Sequence, residues 1–381
     1  GSAGGRAGGP CRRAEVRCTL SGTPRGFVRA CAGGDRARAE KRSITVSKTS
    51  GTVLERPAPQ QTVFALTPEQ SAQIRAAAEQ ITADPIADPD GFCRQALAAS
   101  FALPTELRDA VLNFSDVGSD SGVLVIRGLY VDDDLVDTPL DNSKALGART
   151  FFAKQQGAIA HLAGTMVAYE AEGNGNLIQD MVPNPKLATT QQSQGSKVEL
   201  EAHTEQCFSD YKPDYVILGC LRGDENAYTY AYSARKFVEH FTDDELKKLR
   251  EPRWMTQIDD SFKPYIPDPN AVRGPYPIIT GPDDDPYILI DQDLMHGVTK
   301  ESQELLDKVV QTYIEHRDGV ALQAGDLLLL DNPRAMHGRS QFTPKFDGKD
   351  RFIARGFIVR DRRRLWPWLL DDRRTVAAQY S

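Results

Sequence analysis

The stretch Val198-Glu199-Leu200-Glu201-Ala202-His203-Thr204-Glu205-Gln206 decides how the chain is read. In extended backbone, residues i and i+2 face the same side. His203 and Glu205, read as lying just ahead of a strand, can therefore offer an imidazole and a carboxylate to one ion. A second imidazole, His337, follows 134 residues later, after a strand at 327–331 and a loop at 332–336. Two histidines and one carboxylate on one face of a metal leave the opposite face open. That is the facial donor set used by non-heme Fe(II) oxygenases.

Working outward, Arg351 lies fourteen residues beyond His337, and Arg355 four beyond that. On a strand at 351–359 the two share one face. An arginine aimed into a β-core is expensive unless it meets an anion. Two of them call for two carboxylates, which the guanidinium fork fits better than lysine would. Asp291 and Asp293, at the end of a strand predicted over 287–291, form a second pair on one face, suited to a cationic group. Cys207, four residues past His203, reads as a small core hydrophobe rather than a thiolate ligand.

The rest of the chain supplies a scaffold of helices and short strands. Helices are predicted over 64–82 (opening on Thr67-Pro68-Glu69), 90–102, 104–114, 147–171, 233–251 and 300–316. Strands are predicted over 122–128, 214–221, 227–231, 287–291, 320–331 and 352–360. The 261–286 stretch carries seven prolines and reads as a long loop or lid. Strands separated by short turns suit a β-sandwich or jelly-roll core flanked by helices better than a parallel sheet. No glycine-rich phosphate loop is present.

Composition narrows the function. The 381 residues carry a net charge of −7, with 40% hydrophobic and 26% charged side chains. This argues for a globular protein and against nucleic acid or a membrane as partner. No apolar run approaches the roughly 20 residues needed to span a bilayer. Residues 1–42 differ: ten Lys/Arg against three acids and nine glycines. They are read as a disordered or non-native leader, with 43–381 as one domain. Cysteines without a paired framework imply a reducing compartment, the cytoplasm.

Taken together, these motifs resemble the clavaminate-synthase-like branch of the Fe(II)/2-oxoglutarate-dependent oxygenases, and most of all the bacterial free L-lysine 3-hydroxylases. The resemblance covers about 60–365. Besides the metal motif it rests on Ala168-Tyr169-Glu170-Ala171-Glu172-Gly173, Gln179-Asp180-Met181-Val182-Pro183, Leu221-Arg222-Gly223-Asp224, Asp291-Gln292-Asp293-Leu294-Met295 and Phe346-Asp347-Gly348-Lys349-Asp350-Arg351-Phe352. It implies an α+β fold with a double-stranded β-helix (jelly-roll) core, flanking helices and a lid at about 261–286. It implies His203, Glu205 and His337 as Fe(II) ligands, with Arg351 and Thr229 binding 2-oxoglutarate. Arg355 would take the substrate's α-carboxylate and Asp291 and Asp293 its cationic side chain, with Glu172 and Asp259 as further substrate contacts. O2 is the second co-substrate, and a free amino acid is the partner; self-association into a homo-oligomer is left open. The expected reaction is C3 hydroxylation of L-lysine, releasing succinate and CO2. The alternatives are C4 hydroxylation, or hydroxylation or desaturation of arginine, ornithine or citrulline.

Overall fold

Leu327, Leu328, Leu329 and Leu330 are all buried, but they serve two different cores. Leu327 and Leu329 pack with the helices of the first half of the chain. Leu328 and Leu330 pack inward with Val216, Leu218 and Phe357. This period-two division is what a strand sandwiched on both faces requires. The computed structural model describes residues 63–380, and the leader expectation for 1–42 lies outside them. The described residues belong to one unit, Glu55–Ser381.

The larger sheet runs in the order Val63–Ala65, Val123–Arg127, Leu327–Asp331, Tyr215–Arg222, Phe352–Val359, Thr165–Tyr169 and Thr375–Val376, and Ile178–Met181 also pairs with Phe352–Val359. The smaller sheet has four strands, in the order Asp318–Ala321, Tyr228–Ser233, Ala335–Arg339 and Leu200–His203. Consecutive neighbours in both sheets are far apart in sequence, as the jelly-roll expectation requires. Helices Pro68–Glu79, Pro89–Ser100, Thr105–Val117 and Phe151–Ala163 cover the outer face of the larger sheet. Helix Lys300–His316 backs the smaller one, packing Leu305, Leu306, Val309 and Tyr313 with Ala202, Tyr232 and Met336. A three-stranded sheet (Met295–Gly297, Trp254–Gln257, Val272–Tyr276) lies beside it.

Several predicted elements are subdivided. The 147–171 helix ends at Ala163, because Gly164 stops it and the following Thr165–Tyr169 joins the larger sheet. The 320–331 strand is two strands separated by a turn at Gly325, whose φ of +91° suits glycine. The 233–251 helix is interrupted before Thr242, which opens a second helix, Asp243–Leu249, with a capping box to Glu245. Within 261–286 the chain forms strand Val272–Tyr276 and the short strand Ile279–Thr280, so this segment is not a bare loop. The strand predicted over 287–291 is only Tyr287–Ile288.

His161 is buried in helix Phe151–Ala163, where its Nδ1 donates to the Gly157 carbonyl at 2.8 Å. Burial pushes its pKa from 6.5 down to about 4. Below pH 6.5 the unfolded chain therefore binds a proton that the fold refuses. The stability held by neutral His161 is full above that pH and is lost as the pH falls towards about 4. Urea midpoints measured across this range should fall less steeply in His161→Gln than in the parent protein; parallel slopes would place the titration elsewhere.

Candidate active site

His203 ends the strand Leu200–His203, and Glu205 lies in the turn just beyond it. The metal motif thus follows a strand rather than preceding one. His337 sits in the middle of strand Ala335–Arg339, not after a loop, and pairs directly with His203 across the antiparallel ladder. The two imidazole rings lie 4.1 Å apart between centroids. Ligand atoms of His203, Glu205 and His337 all fall within 4.8 Å of one another.

The donor set suits a divalent metal. His203 Nδ1 donates to the Glu201 carbonyl at 2.8 Å, which leaves Nε2 as its free lone pair. Burial, with help from His203, pushes the His337 pKa down to about 4, so it is a neutral imidazole near neutrality. Burial would raise the pKa of Glu205, but Arg355, His337 and His203 outweigh it and hold the carboxyl well below its usual range. Glu205 is therefore an anion.

These three side chains open on a cavity of roughly 300 Å³ between the two sheets. Every sequence-predicted site residue lines it: Thr229, Arg351, Arg355, Asp291, Asp293, Glu172 and Asp259 as well as the metal ligands. Their surroundings differ. Arg351 is 5% exposed and has no hydrogen bond or ion pair with any described residue, and burial pushes its pKa down. Thr229, equally buried, has an Oγ1 without a partner. An orphaned cation and an orphaned hydroxyl in one cavity fit an anionic ligand.

Arg355 is paired with side chains of its own cavity. It donates to Glu205 Oε1 at 3.1 Å, to Glu172 Oε2 at 2.7 Å and to Gln179 Oε1 at 2.7 Å. Glu172 also accepts from Gln206 Nε2 at 2.7 Å, and burial raises its pKa to about 7. Asp259 is exposed at the rim, where its Oδ1 accepts from the N–H and the hydroxyl of Ser261, both at 2.9 Å.

Asp291 and Asp293 meet in a turn, not on a strand face. Asp291 Oδ1 accepts from the N–H groups of Asp293 and Leu294, and burial raises its pKa to about 6. Asp291 also bridges His203 in antiparallel register. Burial raises the Glu201 pKa and the charge of Asp293 adds to it, so the two carboxylates lie close enough to repel. Like charges held this close are destabilising unless a cation joins them.

Sequence reasoning missed Glu201, although its strand parity with His203 could have found it. It gave no role to Arg339, a buried arginine that donates to the Gly195, Ser340 and Val198 carbonyls and so holds the loop bearing Gln191–Gln194 against the cavity. Cys207 is buried as expected, its Sγ 3.4 Å from Thr256 Oγ1, and burial raises its thiol pKa.

Known proteins resemble this chain in sequence and in fold. Residues 96–356 match the model of the taurine catabolism dioxygenase TauD, TfdA family. The chain is 42% identical over 323 residues to an L-lysine 3-hydroxylase of Catenulispora acidiphila, covering 84% of this chain and 90% of that protein. It is 32% identical to clavaminate synthase 2 of Streptomyces clavuligerus, covering 76% of this chain and 90% of that one. An asparagine oxygenase structure with Fe(II), 3-hydroxyasparagine and succinate superposes with a TM-score of 0.76 at 28% identity, covering 83% of this chain and 99% of the other.

Replacing a buried unpaired cation by an apolar side chain removes a desolvation penalty. Arg351→Met should therefore melt at or above the parent's temperature when no ligand is present, and lose the thermal stabilisation that 2-oxoglutarate gives the parent. A retained 2-oxoglutarate shift would move the anion site away from Arg351.

Proposed function

Because the chain belongs to the taurine catabolism dioxygenase TauD, TfdA family, we propose that it hydroxylates free L-lysine at C3, using Fe(II), 2-oxoglutarate and O2 and releasing succinate and CO2. The observation that carries this reading is the charge layout of one cavity. A buried unpaired arginine lies on one wall, and uncompensated carboxylates lie beside the metal ligands on another. The similarity to an L-lysine 3-hydroxylase over most of both chains supports it.

His203, Glu205 and His337 hold Fe(II), which when bound supplies O2 activation coupled to decarboxylation of 2-oxoglutarate. Arg351 and Thr229 receive the far carboxylate of 2-oxoglutarate. Arg355 receives the α-carboxylate of lysine, and the Glu172 and Asp259 carboxylates take further contacts with the amino acid. Asp291 and Asp293, joined by Glu201, receive the side-chain ammonium.

The spacing suits this register. Two residues along a strand span about 6.6 Å, the step from His203 back to Glu201. An extended lysine chain runs roughly 5 Å from its C3 to its ammonium nitrogen, at about 1.5 Å per bond. Pinning the ammonium beside the metal ligands limits which carbons of the chain can face them. A substrate held at both ends presents one C–H to the metal, where errors of about 1 Å matter.

The segment at 261–286 serves as the lid, since Ser261 at its start lines the cavity. The catalytic domain is taken as 43–381. A cytoplasmic location follows from the unpaired thiols of Cys93, Cys207 and Cys220. No helix among the described residues is long and apolar enough to cross a membrane.

The test is succinate release with Fe(II), ascorbate and 2-oxoglutarate under air across the free L-amino acids, ornithine and citrulline, with mass spectrometry and NMR of the product. Lysine-dependent succinate with 3-hydroxylysine is expected; oxygen at C4, or coupling to another amino acid, would overturn the substrate or register assignment. Asp291→Asn should raise the KM for lysine about 10- to 100-fold, the range set by a charge-assisted hydrogen bond of about 1.5–3 kcal/mol. The KM for 2-oxoglutarate should stay near the parent value; a rise in that constant instead would move the ammonium site elsewhere.

A further inference from the structure

Asn332 is completely buried, at the junction between strands Leu327–Asp331 and Ala335–Arg339. Its side-chain amide reaches the segment that bears the metal-ligand carboxylate. Oδ1 accepts from the Glu205 N–H at 2.7 Å, and Nδ2 donates to the Glu205 carbonyl at 3.2 Å and to the Pro213 carbonyl at 2.9 Å. Its own N–H donates to the Asp214 carbonyl at 3.0 Å. We propose that Asn332 is a positioning residue for the metal centre, clasping both main-chain polar groups of Glu205 so that its carboxylate stays aimed at His203 and His337. The inference rests on the metal-ligand assignment above.

Three observations explain why Glu205 needs such a clasp. It lies in a turn rather than in a ladder, so no strand neighbour fixes its backbone. The next residue, Gln206, has a φ of +53°, a left-handed conformation that a non-glycine side chain adopts only when its surroundings enforce it. And Arg355 draws the Glu205 carboxylate from the other sheet, at 3.1 Å. Thr204 is tied on one side, its N–H donating to the Ile290 carbonyl at 2.8 Å. Asn332 supplies the tie on the other side. Because it stands five residues before His337, one side chain also couples the carboxylate ligand to the strand carrying the distal imidazole.

An aspartate is nearly isosteric but turns the two N–H donors into an acceptor that repels the Glu205 and Pro213 carbonyls. A serine keeps one oxygen for the Glu205 N–H and tests the clasp if Asn332→Asp does not fold. The experiment is titration of the metal-free protein with Co(II) alone, read by its visible d–d absorption, alongside metal-free thermal unfolding. Asn332→Asp and Asn332→Ser should weaken Co(II) binding by ~10–100-fold, the usual consequence of losing a group that orients a metal ligand, and should change the band pattern. Variants that melt early yet bind Co(II) with the parent's affinity and spectrum would reduce Asn332 to a structural role and overturn the inference. A parent protein that binds Co(II) no better than His337→Ala would instead strike down the ligand set, and the inference with it.

Discussion

Across the smaller sheet, His203 and His337 stand directly opposite each other, and this register is the constraint from which the site follows. In a ladder with period two, a slip of one residue would turn one imidazole away from the cavity and into the outer core. The neighbours enforce the register. Ala202 and Met336, the alternate residues on the two strands, are fully buried under helix Lys300–His316 with Leu306 and Val309. The apolar outer face of the sheet thus decides which way its inner face presents nitrogen. The Arg355 strand, next to Tyr215–Arg222 in the facing sheet, supplies the positive counterpart.

Inside the cavity, charge is arranged by pairing as much as by position. Arg355 is paired with Glu205, Glu172 and Gln179, so the middle of the site is a charge-matched network. Among the described residues, Arg351 and Thr229 Oγ1 have no side-chain partner, and no Lys or Arg pairs with Asp291, Asp293 or Glu201. A protein interior tolerates such imbalance where a ligand of opposite sign completes it. The two incomplete groups therefore describe the ligands: an anion on one side, a cation on the other.

The chemistry was more legible in the sequence than the architecture around it. His203, Glu205, His337, Arg351 and Arg355 could be picked out because a motif weak by itself became specific in combination with the stretches around it, and all five line one cavity. Boundaries failed where a single glycine overrode a long pattern: Gly164 turns an apparent helix into a helix and a strand, and Gly325 splits an apparent strand. The Asp291–Asp293 pair was found for an incorrect reason, since a turn and not strand parity brings the two together. The roles of Asn332 and Arg339 were invisible. Each acts on main-chain groups of a distant segment, and main-chain groups leave no mark in a sequence.

The buried sulfur atoms bear on how long such a site can last. Burial raises the pKa of Cys93 and Cys220 to about 12, and that of Cys207 is raised as well. Thiolate, not thiol, is the form that reacts readily with peroxide. Cys207 stands only four residues from His203, yet as a neutral thiol facing Thr256 it is neither a competing soft ligand nor an easy sacrificial reductant. A thiol so buried and neutral is a poor nucleophile towards peroxide, so the packing that fills the core behind the motif also protects this sulfur from that route of oxidation.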